Sequence, residues 1–280
     1  MDALRPDSAT ALTAWAARVR ANRDQAERVR EGAEGRDFYA PIASAFRADP
    51  DRTDEPALEI LRTTARPGET WLDIGAGGGR YALPLARVVG EVIALDPSEG
   101  MLAILREGMS DHGITNVRPV HDRWPSTEPP ALSADVCLIS HVGYDIEEIG
   151  PFLDAMEAAA RRLCVAVLLA QAPASAAAPY WPLVHGEPRA LLPALPEFLS
   201  LLLARGRLFE VRFGGERRPI AFASAEEALT SFLRMQLFIA PGGEKDEKLR
   251  SLLAARAAAD GTIPPAGAAL LIGVVTWAPP

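Results

Sequence analysis

The chain has 280 residues, of which 49% are hydrophobic and 24% charged, and a formal net charge of −8. This is an ordinary globular composition, ample for one large domain with a buried core and too apolar for a disordered chain. The acidic balance makes nucleic acid a poor default partner, and no apolar run approaches the roughly 20 residues of a membrane helix, the longest covering only 163–170.

In the first thirty residues, Leu12, Trp15, Val19, Ala26 and Val29 recur at helical spacing and form a narrow apolar stripe. Arg18, Arg20, Arg23, Arg28 and Arg30 make the same stretch basic, interleaved with Asp24 and Glu27. A solvated helix face is expected. The alternative is an arm for nucleic acid or a protein partner, and the stripe could also seat a second copy as a homodimer. Gly32 and Gly35 end the pattern, and helices are expected over 37–48 and 56–65. No charged-then-apolar leader is present, so a cytoplasmic location is expected.

From Thr70 the texture changes. Strands are expected over 70–74, 92–95, 117–120, 135–140 and 163–169, with helices over 81–89, 100–112 and 149–162 between them. Alternating helices and nearly continuous apolar strands predict an α/β fold with a parallel sheet covered on both faces. Its ligand site is expected beyond the carboxyl ends of the strands. Cys137 and Cys164 lie in apolar strands and read as reduced core thiols. Beyond 170 the alternation loosens. Residues 171–197 carry six prolines, a helix is expected near 197–205, a strand over 208–213, helices over 225–239 and 244–259, and a last strand over 268–277. The expected organisation is a helical segment over 1–66 covering the site, a core over 67–213 with 266–280, and a helical cap over 214–265 on the substrate side, joined there by 171–190.

The strongest motif is Trp71-Leu72-Asp73-Ile74-Gly75-Ala76-Gly77-Gly78-Gly79-Arg80, which leaves a strand and opens a helix. Such glycines let backbone approach a ligand closely, and the helix start offers free N–H groups. A dinucleotide fingerprint would want Gly or Ala where Arg80 stands. Asp73 would repel a pyrophosphate but suits a ligand that carries an ammonium group. A nicotinamide-dependent oxidoreductase is therefore disfavoured. Asp96 ends the second strand roughly 20 residues beyond the loop, where an acid accepts from ribose hydroxyls, and Asp122 follows the third strand.

With these landmarks the sequence resembles the class I S-adenosylmethionine-dependent methyltransferases of the small-molecule type, close to methyltransferase types 11, 12 and 25. The match rests on Asp73–Gly79, on Leu95-Asp96-Pro97-Ser98 with Met101, on Asp122, and on Ala134–Leu138 leading to Ser140-His141, all within 70–170. The resemblance implies a Rossmann-like, doubly wound sheet of seven strands with the last antiparallel. It also implies S-adenosyl-L-methionine as cofactor and S-adenosyl-L-homocysteine as product. By the same resemblance Asp73 with Gly75, Ala76, Gly77 and Gly79 would hold the methionine part, and Asp96 the ribose. Pro97, Ser98 and Met101 would flank the adenine, Asp122 with Arg123 would meet its amino edge, Ser140 and His141 would wall the pocket, and Tyr39 would close over it.

Methyl transfer from a sulfonium is an in-line displacement in which positioning and desolvation dominate, and a base is needed only if the acceptor must lose a proton. His141, directly after the fourth strand, is the candidate base, with Tyr144 beside it in sequence. No CxxC or HxxxH spacing suggests a metal site, and neither GxSxG nor a P-loop occurs. Ser140-His141-Val142-Gly143-Tyr144 departs from the Asn/Asp-Pro-Pro-aromatic motif of relatives that methylate base or glutamine amines. The acceptor is expected to meet Tyr144, Tyr180, Trp181, His185, Arg189 and Phe222, aromatics with a few polar groups that suit a small or medium organic molecule, while Arg217 and Arg218 read as a turn face. The expected activity is methyl transfer to an oxygen, nitrogen or carbon of such an acceptor. Its rivals are an RNA or protein methyltransferase using the basic N-terminal helix, and a protein that binds the cofactor without turnover.

Overall fold

A computed structural model of the chain describes residues 7–32, 43–44, 46–47, 49–126 and 132–280. Seven strands form one sheet: β1 Thr70–Ile74, β2 Glu91–Asp96, β3 Val117–His121, β4 Ala134–Ser140, β5 Ala160–Leu169, β6 Phe209–Arg217 and β7 Leu270–Trp277. Their order is β3-β2-β1-β4-β5-β7-β6. The first five pair in parallel, and β7 runs antiparallel between β5 and β6. The seven-stranded, doubly wound α/β arrangement is thus the one the family resemblance implied. Pro119 cannot donate to a ladder, and it sits in β3, at the edge of the sheet.

Alternation along the strands sorts the helices onto two faces. Leu72, Ile74, Cys137 and Ile139 pack with Trp15 and Val19 of α1 (Ser8–Val29), Phe152 and Met156 of α5 (Ile149–Ala159), and Phe198 and Leu201 of α7 (Leu195–Ala204). Trp71, Val136 and Leu138 pack on the other face, with Leu58 and Leu61 of α2 (Pro56–Thr64), Leu83 and Leu85 of α3 (Ala82–Ala86), and Leu102 and Leu105 of α4 (Glu99–Asp111). Cys137 and Cys164 are neighbours across β4 and β5, buried and free. A third, smaller core joins α6 (Trp181–His185) to α8 (Ala225–Ala228), α9 (Arg234–Leu237) and α10 (Glu244–Arg256) through Trp181, Val184, Leu229, Leu237, Leu249 and Leu253.

Several elements depart from expectation for identifiable reasons. The helix expected over 37–48 lies largely outside the described residues. The helix expected over 81–89 is only α3, because the chain must turn at Gly90, whose N–H donates to Glu69 O (2.9 Å), to enter β2. Strand β5 starts at Ala160 rather than 163, since Arg161 and Arg162 reach Asp135 and Glu69 at the foot of the sheet (2.9 and 2.6 Å). The helix expected over 225–239 contains a π turn, Leu229–Leu233, and stops at Phe238, which takes a left-handed conformation (φ 56°). Strand β6 continues past 213 to Arg217, so the cap begins later than expected.

The N-terminal helix docks by its apolar stripe and keeps the expected solvated face, whose arginines meet carboxylates of distant segments rather than forming a free arm. Arg18 pairs with Glu197, Arg20 and Arg23 with Glu147 (2.6 and 2.8 Å), and Arg28 with Glu187 (2.9 Å), while Arg30 lies over the Phe238 ring at 4.6 Å. Trp15, only 4% exposed, donates from Nε1 to Ile146 O (2.9 Å) and meets Phe198 edge-on. Trp15→Ala is therefore expected to lower stability by about 3–5 kcal/mol in urea unfolding, as for a large core aromatic. An unchanged midpoint would show that α1 is not docked in solution.

Candidate cofactor and acceptor site

The glycine loop joins β1 to α3 and is held from beneath by β2. The N–H groups of Gly75 and Ala76 both donate to Leu95 O, at 2.8 and 3.0 Å. Gly75, Gly77 and Gly79 all have positive φ (76°, 54° and 87°), the region that L-residues with a Cβ avoid. A Cβ on Gly79 would stand 2.5 Å from Leu105 Cδ1, and one on Gly75 2.5 Å from Val142 Cγ2. Over Gly77 only Met101 Sδ among the described residues lies within reach, at 3.9 Å. The loop thus needs its first and last glycines for packing, and its middle one leaves room for a ligand.

Two carboxylates flank the loop and differ in how they are satisfied. Asp96, at the end of β2, accepts from Gly77 N–H through Oδ2 and from Ser98 N–H through Oδ1, both at 2.8 Å. Asp73, at the adjacent position of β1, is 2% exposed, and no donor among the described residues reaches its Oδ1. Burial, and secondarily the charge of Asp96, push its pKa up to about 7. A buried acceptor without a donor is unfavourable by about 1–3 kcal/mol. It is the defect that a ligand ammonium would repair, so the residues present fit a ligand with a cationic amine.

The remaining predicted cofactor residues occupy the same rim in different ways. Ser98 is the N-cap of α4; its Oγ accepts from Met101 N–H (3.1 Å), so its hydroxyl is engaged in starting a helix. Met101 is buried under the loop, and Pro97 is exposed. Pro97 O meets His121 Nε2 at 3.1 Å, a contact the sequence reading did not anticipate. Asp122 accepts from Ser126 Oγ and from Arg123 N–H (2.7 Å), contacts that hold its pKa below the ordinary carboxylate value. It shapes the loop after β3, on which Arg123 is exposed. Tyr39 lies outside the described residues.

At the end of β4, Ser140 is followed by His141, which adopts the left-handed region (φ 55°) and donates its N–H to Val167 O (2.9 Å). A bulky residue held there is strained, a feature concentrated at functional sites. His141 Nδ1 lies 3.5 Å from Tyr144 Oη, which itself accepts from Leu169 N–H (2.8 Å). Burial lowers the His141 pKa to about 4, helped by the charges of Arg217 and Arg80 and opposed by Glu55. Burial raises that of Tyr144. Both groups are therefore neutral at pH 7, and His141 is a weak base.

Sequence reasoning missed the group that surrounds this pair. Glu55, just before α2, accepts from Arg52 Nε (2.7 Å), from an Arg80 amine (2.9 Å) and from the Tyr81 hydroxyl. Burial opposes its charge, but these donors keep its pKa below the usual value. No local motif announces Glu55. Only the packing of α2 against the end of β6 brings it to the site.

The predicted acceptor residues do not gather with Tyr144. Tyr180 and Trp181 are 3% and 1% exposed and belong to the cap core, with Phe222 packed against it. His185 Nε2 meets Leu237 O (2.9 Å). Arg189 stacks on Trp181 (3.8 Å) and donates to Asn22 and Gln25 of α1 (3.2 and 3.3 Å), and burial lowers its pKa to about 10. These aromatic and basic residues bind the cap to α1, which is why they share a composition with a ligand pocket. Arg217, expected in a turn, instead ends β6.

The Asp73 environment sets a pH dependence. The unfolded chain ionises this group near 3.8, whereas the folded protein keeps it protonated up to about pH 7, so its contribution to stability is lost as pH rises through that window. In the ligand-free protein, Asp73→Asn is expected to match the wild type in urea unfolding at pH 4 and to exceed it by about 1–4 kcal/mol at pH 8. Parallel curves at the two pH values would remove the buried, donor-poor carboxyl.

Residues 72–163 match the family model described as a methyltransferase domain. An uncharacterized protein of Haemophilus influenzae is 39% identical over 72 residues, which are 26% of this chain and 27% of that protein. The 23S rRNA (uracil(1939)-C(5))-methyltransferase RlmD of Alkalilimnicola ehrlichii is 36% identical over 90 residues, 32% of this chain and 19% of that enzyme. The chain thus spans about a quarter or less of the length of these curated relatives. Among solved structures, a SAM-dependent methyltransferase from Thiobacillus denitrificans in complex with S-adenosyl-L-homocysteine superposes with a TM-score of 0.52 at 15% identity, covering 88% of this chain and 99% of that one. Among the described residues no helix is long and apolar enough to cross a membrane. Residues 72–163, which hold the glycine loop and its two acids, thus match a methyltransferase domain, and the chain has the fold of the Thiobacillus denitrificans structure.

Proposed function

We propose that the chain transfers a methyl group from S-adenosylmethionine to a small or medium organic acceptor, at an oxygen, nitrogen or carbon. The observation that carries this reading is Asp73, a buried carboxyl with no donor to Oδ1 among the described residues, beside an open glycine. S-adenosylmethionine, when bound, supplies an electrophilic methyl on a sulfonium whose leaving group is a neutral thioether. Asp73 would meet its ammonium and become ionised. Asp96, fixed by Gly77 and Ser98, would hold the ribose hydroxyls. Ser98 and Met101 would line the adenine side, and Asp122 its amino edge.

On the acceptor side, His141 is a poor sink for a proton, because its pKa is about 4. It serves instead as a neutral, positioned acceptor that receives the Tyr144 hydroxyl, while Leu169 N–H fixes the Tyr144 oxygen. Catalysis by such a pair is positioning and exclusion of water rather than proton removal. One observation favours a second reading: the rRNA enzyme of Alkalilimnicola ehrlichii shares 36% identity over 90 residues. Against it, the arginines of α1 are engaged by the chain's own carboxylates and by Phe238. Salt-sensitive RNA binding that disappears in Arg20→Gln/Arg23→Gln would favour the RNA reading.

Three measurements test the proposal. Calorimetry should show S-adenosylhomocysteine and S-adenosylmethionine binding and no binding of NAD. At pH 6 binding should release about one proton, seen by comparing buffers of different ionisation enthalpy, because Asp73 passes from protonated to ionised. Asp73→Asn should abolish that release. Asp96→Ala should weaken cofactor binding by about 1–3 kcal/mol, and an unchanged affinity would take Asp96 out of the site. Once an acceptor is found, the pH profile of turnover should carry no limb near 6.5 that His141→Gln removes. Such a limb would mean that His141 is the base after all.

A further inference from the structure

Arg217 is exposed and has no counter-ion among the described residues, although it stands in a crowded place. Its direction is set by a bulge. Phe213 pairs with Gly273 and Glu216 with Leu271, so β6 carries one extra residue between them. On β7, Ile272 and Val274 face the α2 side of the sheet, and Val275 and Trp277 face the α1 side. Arg217 pairs with Leu270 and so falls on the α2 side; without the extra residue Glu216 would stand there. The bulge is made by Gly214 and Gly215. A Cβ on Gly214 would lie 3.1 Å from Ala57 Cβ, and Gly215 (φ 92°) abuts Pro56. The first turn of α2 thus rests on the bulge, with Glu55 immediately before it.

The result is a cluster with unbalanced charge. Glu55 is taken up by Arg52, Arg80 and Tyr81, and Arg217, at the end of the strand on which α2 rests, feels the like charge of Arg80 without a carboxylate of its own among the described residues. The charge of Arg217 acts on His141 and Tyr144, the two residues at the acceptor side of the site. Of these two guanidiniums, Arg80 has a counter-ion and Arg217 has none among the described residues, and the planar fork of Arg matches a carboxylate or a phosphate in two hydrogen bonds. A bulge that replaces an acid by an arginine at such a rim re-aims a side chain toward the site.

We propose that Arg217, with Arg80 beside it, anchors an anionic group, a carboxylate or a phosphate, carried by the methyl acceptor. This rests on the methyltransferase reading above and narrows it to anionic acceptors. The rival occupant is the cofactor's own carboxylate, and the test separates the two. Wild type, R217Q and R217K are saturated with S-adenosylhomocysteine and titrated with benzoate, phenyl phosphate and neutral benzamide. At least one anion should bind the wild type more tightly than benzamide does. Its affinity should fall about tenfold in R217Q, the loss of one charge-assisted contact, and recover in part in R217K. Affinity for S-adenosylhomocysteine should be equal in all three proteins. Preference for benzoate would indicate a carboxylate acceptor, and preference for phenyl phosphate a phosphorylated one. The proposal fails if neither anion outbinds benzamide, if R217Q keeps the anion affinity, or if R217Q loses S-adenosylhomocysteine instead, which would assign Arg217 to the cofactor. Absence of S-adenosylhomocysteine binding to the wild type would sink the underlying reading, and titration of the ligand-free protein with the same anions would then still decide whether Arg217 holds one.

Discussion

The site depends on one electrostatic asymmetry: two acids end neighbouring parallel strands, and among the described residues only one finds donors for both oxygens. Register sets Asp73 opposite Ala94 and Asp96 just beyond the last β1–β2 pair, so the chain cannot separate them. Asp96 spends two backbone N–H groups, one from the glycine loop and one from the start of α4, and thereby ties these two turns together. Asp73 receives none of that help at Oδ1, and burial next to a like charge keeps it protonated near neutrality. A fold that leaves a buried carboxyl in this condition holds its unfavourable energy in reserve for a ligand cation.

The acceptor side is organised by a different constraint, the direction of side chains at strand ends. His141 is turned into the left-handed region and locked to Val167, which sets its ring against Tyr144 rather than into the sheet. The extra residue in β6 does the equivalent for Arg217. In both cases a local departure from regular strand geometry delivers a polar group to the carboxyl edge, where regular alternation would have presented another residue or another face. The cap contributes its own small core and fastens to α1 through Arg189 and Trp181, so its aromatic residues are spent on structure.

The sheet was legible from sequence because its strands are continuous apolar runs with acids or glycines at their ends, and Gly77 and Asp96 stood out because the turn after β1 uses a positive φ and a carboxylate that accepts its backbone N–H. Other features were not. Tyr180, Trp181, His185 and Arg189 have the composition of a ligand pocket, yet composition does not separate a pocket from a helix–cap interface. Glu55 and Arg217 carry no motif, and their meeting depends on a bulge one residue long and on α2 packing across it. Seeing that in sequence would require reading Gly214-Gly215 as a strand irregularity rather than as the end of the strand. The partners of the basic stretch of α1 were hidden for a related reason: its carboxylates, Glu147, Glu187 and Glu197, lie more than a hundred residues away in the chain.

Charge is therefore segregated along the carboxyl edge of the sheet. The acids stand at the ends of β2 and β1, the guanidinium of Arg217 at the end of β6, and His141 on β4 between them in the strand order. In methyl transfer from a sulfonium the positive charge leaves the donor and passes to the acceptor, which then sheds a proton or begins without one. A positive field that helps keep His141 neutral also lowers the pKa of an acceptor hydroxyl placed beside it. An anionic acceptor would be drawn to and oriented by that field. The same guanidiniums, which add to burial in lowering the basicity of His141, would thus contribute by orienting the acceptor rather than by removing its proton.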